Sequence, residues 1–373
     1  MSSCISAIGI ANPPNRISQI AINGFMEKAF RLNENDALRL KKIYDHSAIT
    51  TRYSVIPDFG YDDFAENQFF PANEMLEPFP DTQKRMQFYR KHAISVAAQA
   101  AQNCLASFNA SFTGKISHLI TVSCTGMYAP GIDIDLIETL GLNRNIERTC
   151  INFMGCYGSI NALKIADSIC KSNPEAKVLV VSIELCTLHF QKENTLENWV
   201  ANSLFSDGAA AAIIENSAKR SIEQSYFLLE NFYAEYIYEA KDEMNWLIGN
   251  FGYEMRLTSK VSKQIQKHIK PLAEKALQKT GLSLAEIDLF AIHPGGKKIL
   301  EAAEDGLNIC KCKNSFAHEV LADYGNMSSA TILFVLQKIL QAKTVQPEQN
   351  ILGFAFGPGL TVESMVLKKT SNE

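Results

Sequence analysis

The stretch NFMGCYGSINALKIADSI (residues 152–169) puts Cys156 between two glycines, where a short apolar run gives way to helical spacing. Ile160, Leu163, Ala166 and Cys170 recur every three or four residues, which marks one buried face of a helix. Cys156 therefore falls at a helix N-terminus, where unpaired N–H groups and the dipole favour an anion and draw a thiol pKa down from about 8.5. Gly155 and Gly158 let the backbone turn sharply and a substrate come close. The plain alternative is a small buried residue at a tight strand-to-helix turn. A cysteine nucleophile needs a base or an imidazolium beside it. Of seven histidines, His293 in LFAIHPGGKKIL stands at a strand end before Pro294 and two glycines, in the kind of loop where sites of α/β sheets collect. His92 and His268, in helical and lysine-flanked contexts, read as solvated. Asn326, in DYGNMSSATILF, sits where a turn becomes an apolar helix, so it either caps that helix or donates its amide to a developing oxyanion. FGPGLTVE (356–363) is a tight turn between strands, whose glycines either make the turn or let backbone line a cavity.

Cysteine, histidine and asparagine also make up a cysteine protease set, and the 137 residues from Cys156 to His293 (293 − 156) fall within a papain-type spacing. The cysteine lies mid-chain, however, without the CGSC-like flank of that group, which argues against a protease.

The elements that must hold these residues are legible as alternation. Strand-like runs occupy 118–124, 150–155, 177–185, 209–214, 287–293, 351–356 and 360–367, with helical spacing over 88–107, 157–172, 257–280 and 327–342. Strands alternating with helices of this length predict an α/β protein, and runs apolar on both faces predict a sheet covered on both sides. The chain has a two-part rhythm. One part closes with FSDGAAAAIIEN near 216, and a strand-rich stretch (225–237) opens the other, predicting an N-terminal half over 1–220 and a C-terminal half over 221–373 that pack as one body.

Composition narrows the class. The chain has 373 residues, 46% apolar, with a net charge of −4, so nothing advertises nucleic-acid binding and any basic site is local. The N-terminal segment does not read as a signal peptide, and the longest apolar runs are far short of the roughly 20 residues that span a bilayer. A soluble cytoplasmic protein is expected. The nine cysteines are scattered without a CxxC pair; only Cys310 and Cys312 are close, and all are expected as free thiols.

With Cys156, His293 and Asn326 assembled, the chain resembles the type III polyketide synthases, the chalcone and stilbene synthase family of the thiolase superfamily. The resemblance rests on MGCYGS, LFSDGAAAA, IHPGGKKIL, YGNMSSATILF and GFAFGPGLTVE, in the family's order and over nearly the whole chain. It implies an α/β, thiolase-like fold of five layers (α-β-α-β-α) built by duplication, a homodimer, and no metal or organic cofactor. The substrates it implies are coenzyme A thioesters, an acyl-CoA starter and malonyl-CoA. By resemblance Cys156 takes the starter as a thioester, and His293 and Asn326 hold the malonyl carbonyl through decarboxylation. Decarboxylation leaves negative charge on a thioester oxygen, which two neutral or cationic donors suit and a carboxylate would repel. His293 can also pair with the thiolate before acylation. The expected activity is an acyltransferase's, lengthening the chain by two carbons per cycle into pyrone, resorcinol or phloroglucinol-type products.

The same resemblance places Phe205 and Met255 at the gate between coenzyme A tunnel and cavity. It places Cys124, Cys186, His189 and Trp246 in the cavity, with Ser328 of YGNMSSA and Gly357, Pro358 and Gly359 of the GPG turn. Plant members carry threonines for Cys124, Cys186 and His189, a glycine for Trp246, and a glycine where Ser159 stands. Histidine and tryptophan fill volume, so a chalcone-sized product is not expected to fit. Cys124 reads as packing, with a side pocket or a second reactive thiol as alternatives. Arg39, Lys42 and His46 match the basic positions of the coenzyme A-binding helix; their spacing puts them on one face suited to phosphates, or simply to water. Two rival functions are weighed: a single-cycle ketoacyl synthase III-like enzyme using acyl carrier protein, and a non-catalytic acyl-CoA-binding or scaffold protein.

Overall fold

The structure, a computed structural model, describes residues 2–108, 115–220 and 224–371. In chain order its strands are β1 (Ser3–Ala11), β2 (Asn15–Ser18), β3 (Thr51–Ser54), β4 (His118–Ser123), β5 (Glu147–Asn152), β6 (Lys177–Leu185) and β7 (Asp207–Asn216). There follow β8 (Tyr226–Tyr236), β9 (Met244–Gly249), β10 (Gly252–Leu257), β11 (Leu289–Ile292), β12 (Asn350–Gly357) and β13 (Thr361–Thr370). The helices that matter below are α1 (Gln19–Ala29), α2 (Glu34–Asp45), α3 (Thr82–Phe108), α4 (Ile132–Leu140), α5 (Gly158–Ser172) and α6 (Leu196–Leu204). The C-terminal half adds α7 (Lys260–Gln278), α8 (Lys297–Leu307), α9 (Ser315–Tyr324) and α10 (Thr331–Gln341).

Nine strands form one sheet in the order β11-β12-β13-β8-β1-β7-β6-β4-β5. β6 and β7 bury every residue but Lys177, as a strand covered on both faces must. β1 and β8 join the two ends of the sheet through a short antiparallel ladder, Ser3 opposite Leu229 to Ile5 opposite Phe227. α3 packs on β1, β7 and β6 from one side, while α5 packs on β4, β6 and β7 from the other and reaches β13. α10 touches β1, β7 and β11, so α5 and α10 form a middle layer between the two wings of the sheet. α7 lies on β8 and β13, with α8 against it. The result is the expected α-β-α-β-α stack. Two cores fill it, one around α5, α7 and α10, the other around α1 and α3.

The expected strand at 150–155 is shifted. β5 ends at Asn152, because Phe153 and Gly155 adopt positive φ (60° and 81°) and turn the chain toward α5. The β9–β10 hairpin and the N-terminal β1 and α1 were not marked by the sequence patterns above. Among the described residues no helix is long and apolar enough to cross a membrane.

Candidate active site

Cys156 is set by the turn between β5 and α5. The Gly155 N–H donates to Cys124 Sγ at 3.0 Å, and a Cβ on Gly155 would stand 2.3 Å from Pro358 Cδ. On Gly357 a Cβ would meet the Tyr157 ring at 2.6 Å and the Cys156 nitrogen at 3.4 Å. The GPG turn is thus pressed against the backbone of the Cys156 turn, which only glycine at 155 and 357 permits. Ser159, the departure from the plant pattern, is fully buried and donates to Ser329 O at 2.6 Å. It ties α5 to the segment before α10.

His293 follows β11 directly. Its N–H continues the β11–β12 ladder by donating to Phe354 O at 2.7 Å, and Gly295 N–H donates to His293 O at 2.9 Å. The ring is buried, and neither nitrogen has a protein partner. Asn326 forms a parallel bridge with Phe205. Its Nδ2 donates to Gly295 O at 3.2 Å, and its Oδ1 accepts the Ser328 N–H at 2.9 Å. Asn326 therefore closes a local turn with Ser328 rather than capping α10, whose N-cap is Ala330, and its amide nitrogen faces the His293 loop. A Cβ on Gly295 would lie 3.6 Å from His293 Cδ2, so Gly295 links histidine and asparagine. Ser328, held at φ 47°, brings its Oγ to 3.5 Å from Cys156 Sγ. Residues from three distant segments converge on one buried spot.

The expectation of a lowered thiol pKa does not hold for this closed site. Burial pushes Cys156 up to about 12, the nearby Glu184 adds to the rise, and the Ser328 and Asn326 side chains oppose it. A helix N-terminus supplies about 0.3–1 kcal/mol, less than one pKa unit, which is too little to offset that burial. Burial likewise brings His293 down to about 3. Thiol and imidazole are both neutral, and the cysteine's hydrogen-bond partner is Ser328 rather than His293.

Glu184, which the patterns missed, lies beneath the site. It is completely buried, accepts Cys124 N–H at 3.0 Å and Thr125 Oγ1–H at 2.8 Å, and accepts the Ser329 hydroxyl. Burial raises its pKa to about 7 despite these donors. Its signal was present in the sequence as the single acid inside KVLVVSIEL. Cys124 is buried in the same knot, with its pKa well above the ordinary value through burial, and it supports the Gly155 turn.

Phe205, Met255, Cys186, His189 and Trp246 line one narrow cleft together with Tyr253. Arg52 holds Phe205 in place by donating from Nη1 to Phe205 O at 2.7 Å. Cys124, Ser328, Gly357, Pro358 and Gly359 do not line this cleft; the first four pack around the Cys156 turn instead, and Gly359 faces Tyr236. Arg39 and Lys42 lie on α2 with His46 as its C-cap, and all three are exposed on the side opposite buried Leu40 and Tyr44. Arg39 is paired with Asp36 at 3.3 Å. Cys310 and Cys312, expected as free thiols, are joined as a disulfide, the two-residue spacing having brought their Cα atoms to 5.2 Å. Among the described residues no group of three His, Cys, Asp or Glu side chains is placed to hold a metal ion.

Residues 2–218 match the family described as chalcone and stilbene synthases, N-terminal domain, and residues 229–371 match its C-terminal domain. The chain belongs to this family, and it is a type III polyketide synthase with the thiolase fold, an enzyme of the acyltransferase type. Among its relatives is the alpha-pyrone synthesis polyketide synthase-like Pks18 of Mycobacterium tuberculosis, 32% identical over 88% of this chain and 81% of the relative. The type III polyketide synthase C of Arabidopsis thaliana is 29% identical over 98% of this chain and 94% of its own. The crystal structure of PKS-I from the brown alga Ectocarpus siliculosus superposes with a TM-score of 0.91 at 28% identity, covering 99% of this chain and 98% of that one. These likenesses favour neither rival function.

Proposed function

We propose that the enzyme carries an acyl group on Cys156 Sγ and extends it with malonyl-CoA. The observation that supports this most is the convergence of Cys156, His293 and Asn326, with both His293 nitrogens left without a protein partner in a buried site. Buried polar atoms of this kind call for an explanation, and a catalytic role supplies one. Each charge alone is penalised by burial, so a thiolate forms together with an imidazolium, the two offsetting one another. The proton passes from Sγ to His293 as the thiolate attacks the starter thioester, and coenzyme A leaves with that proton. Malonyl-CoA then loses CO2: the bond to the carboxylate breaks, and its electron pair delocalises onto the thioester oxygen. His293 and the second N–H of Asn326 Nδ2 donate to that oxygen. The carbanion attacks the acyl carbon, Cys156 leaves as thiolate, and the chain is two carbons longer.

Coenzyme A phosphates dock on the exposed Arg39, Lys42 and His46 side of α2. A product of the pyrone type follows the named activity of the mycobacterial relative. A homodimer is supported by β5, an edge strand with most of its residues exposed, flanked by exposed Met127 and Met154. The two halves, 1–220 and 221–373, divide the chemistry, the first supplying the nucleophile and the second the donors; the cytoplasm is the compartment in which coenzyme A substrates are expected. Incubation with a panel of acyl-CoAs and malonyl-CoA tests the reading. A starter-sized mass increase on the peptide containing Cys156, followed by CO2 release, is expected. No adduct and no turnover with any starter would overturn it.

A further inference from the structure

Arg85, in the first turn of α3, is fully buried, and among the described residues no carboxylate bonds to it. Its Nε donates to Pro80 O at 2.8 Å, and its Nη1 donates to Leu188 O and to Phe190 O, the latter at 3.1 Å. Those two carbonyls straddle His189. Such a guanidinium is costly to bury, and here its bonds go to backbone that ends chain segments.

The same helix start holds the β9–β10 hairpin. Thr82 N–H donates to Asn250 O at 2.9 Å, Thr82 Oγ1 donates to Gly249 O, and Gly252 N–H donates to Thr82 Oγ1 at 2.9 Å. Gly252, at φ 100°, is wedged in place: a Cβ there would lie 2.9 Å from Arg85 Cδ and 3.0 Å from His189 Nδ1. Between turn and hairpin stand three rings. His189 stacks on Tyr253 with centroids 4.2 Å apart and planes 8° from parallel, and Trp246 meets both edge-on at 5.5 and 5.8 Å. His189 and Trp246 are tied to backbone, while the Tyr253 hydroxyl donates to Met86 Sδ at 3.1 Å. Tyr253 N–H donates to His189 Nδ1 at 2.9 Å, His189 Nε2 meets Thr125 O at 2.8 Å, and Trp246 Nε1–H donates to Cys124 O at 2.8 Å. These bonds require one neutral tautomer, Nε2–H, and burial first, with the Arg85 charge adding to it, keeps the ring from accepting a second proton.

We propose that Arg85 is a positioning residue for product length. It locks the turn bearing Cys186 and His189 to the β9–β10 hairpin, so that His189, Tyr253 and Trp246 form a fixed end wall to the acyl cleft and stop extension at a short polyketide. Arg85 fixes the turn by its carbonyls and Thr82 fixes the hairpin by its backbone, so both sides of the wall are anchored to the start of α3. The inference rests on the reading of the cleft as the acyl cavity.

Three proteins decide it: wild type, Arg85→Met, and Arg85→Lys as the conservative variant. Products from malonyl-CoA and a medium-chain acyl-CoA are sized by mass spectrometry, with coenzyme A release measured alongside. The 15N signals of the histidine rings are followed in parallel. Coenzyme A release is expected to stay within about threefold. Products longer by one or more malonyl units should rise at least fivefold in Arg85→Met and less in Arg85→Lys, and the His189 tautomer signal should broaden or shift in the same order. If Arg85→Met does not fold, Arg85→Lys alone must show the longer products. Folded variants with unchanged products and an unchanged His189 signal overturn the proposal. Wild type that releases no coenzyme A with any starter overturns the cavity reading instead, and the His189 signals still decide whether Arg85 positions the ring.

Discussion

At the scale of single residues, the donors around the thioester oxygen should separate from the nucleophile. Cys156→Ala is expected to abolish the acyl adduct and all extension. Asn326→Ala should still form the adduct but lose about 10²–10³-fold in malonyl-CoA decarboxylation, the usual cost of one oxyanion donor. Measuring 14CO2 release apart from adduct formation checks this. Glu184 carries a second prediction. Its folded pKa of about 7 lies above the ordinary value of 4.5, so the folded state holds more protons between those limits. Its stabilising contribution is therefore full below about pH 4.5 and lost as pH rises through 7, an effect of roughly 3 kcal/mol for a group this buried. Asp207, also raised to about 7 by burial, acts in the same direction. Glu184→Gln keeps the acceptor for Cys124 and Thr125 and cannot ionise. Its melting temperature should fall less between pH 5 and 8 than that of wild type. An equal fall in both would show that Glu184 does not titrate in that range.

At the scale of elements, the site depends on close contacts of backbone with backbone. β1 crosses α3 at Gly9, where a Cβ would stand 2.2 Å from Cys104 N and 2.4 Å from Ala100 O. Both atoms belong to a helix backbone that no side-chain rotation can move. Gly9→Ala is expected to cost about 3 kcal/mol or more, because overpacked sites relax only by shifting elements. In thermal melts this appears as a drop of several degrees, or as insoluble protein. Gly24 is the control, since a Cβ there would have no neighbouring atom within 4 Å: Gly24→Ala should change the melting temperature little or raise it.

At the scale of the whole molecule, the exposed edge of β5 leads to an expected association. Sedimentation at micromolar concentration should give a dimer, and Met127→Glu should move the population toward monomer at the same concentration. A wild-type monomer there would remove the homodimer from the reading. The alternation of apolar runs and helical spacing sufficed for the order of most strands and of helices α3, α5, α7 and α10, since the pattern is local and the burial it reports is two-sided. Cys156, His293 and Asn326 stood out as candidates because each stands at a junction between elements, next to glycine or proline, where side chains serve chemistry more readily than packing, and the fold brings their segments together. The charge state of Cys156 was not legible. Helix position is a local property, whereas burial by the GPG turn, Ser328 and Glu184 comes from segments up to about two hundred residues away. Arg85 and Tyr253 show the same limit. Their neighbours are carbonyls and rings brought together by α3, the Cys186–His189 turn and the β9–β10 hairpin, and no spacing along the chain encodes which backbone atom a buried side chain will meet.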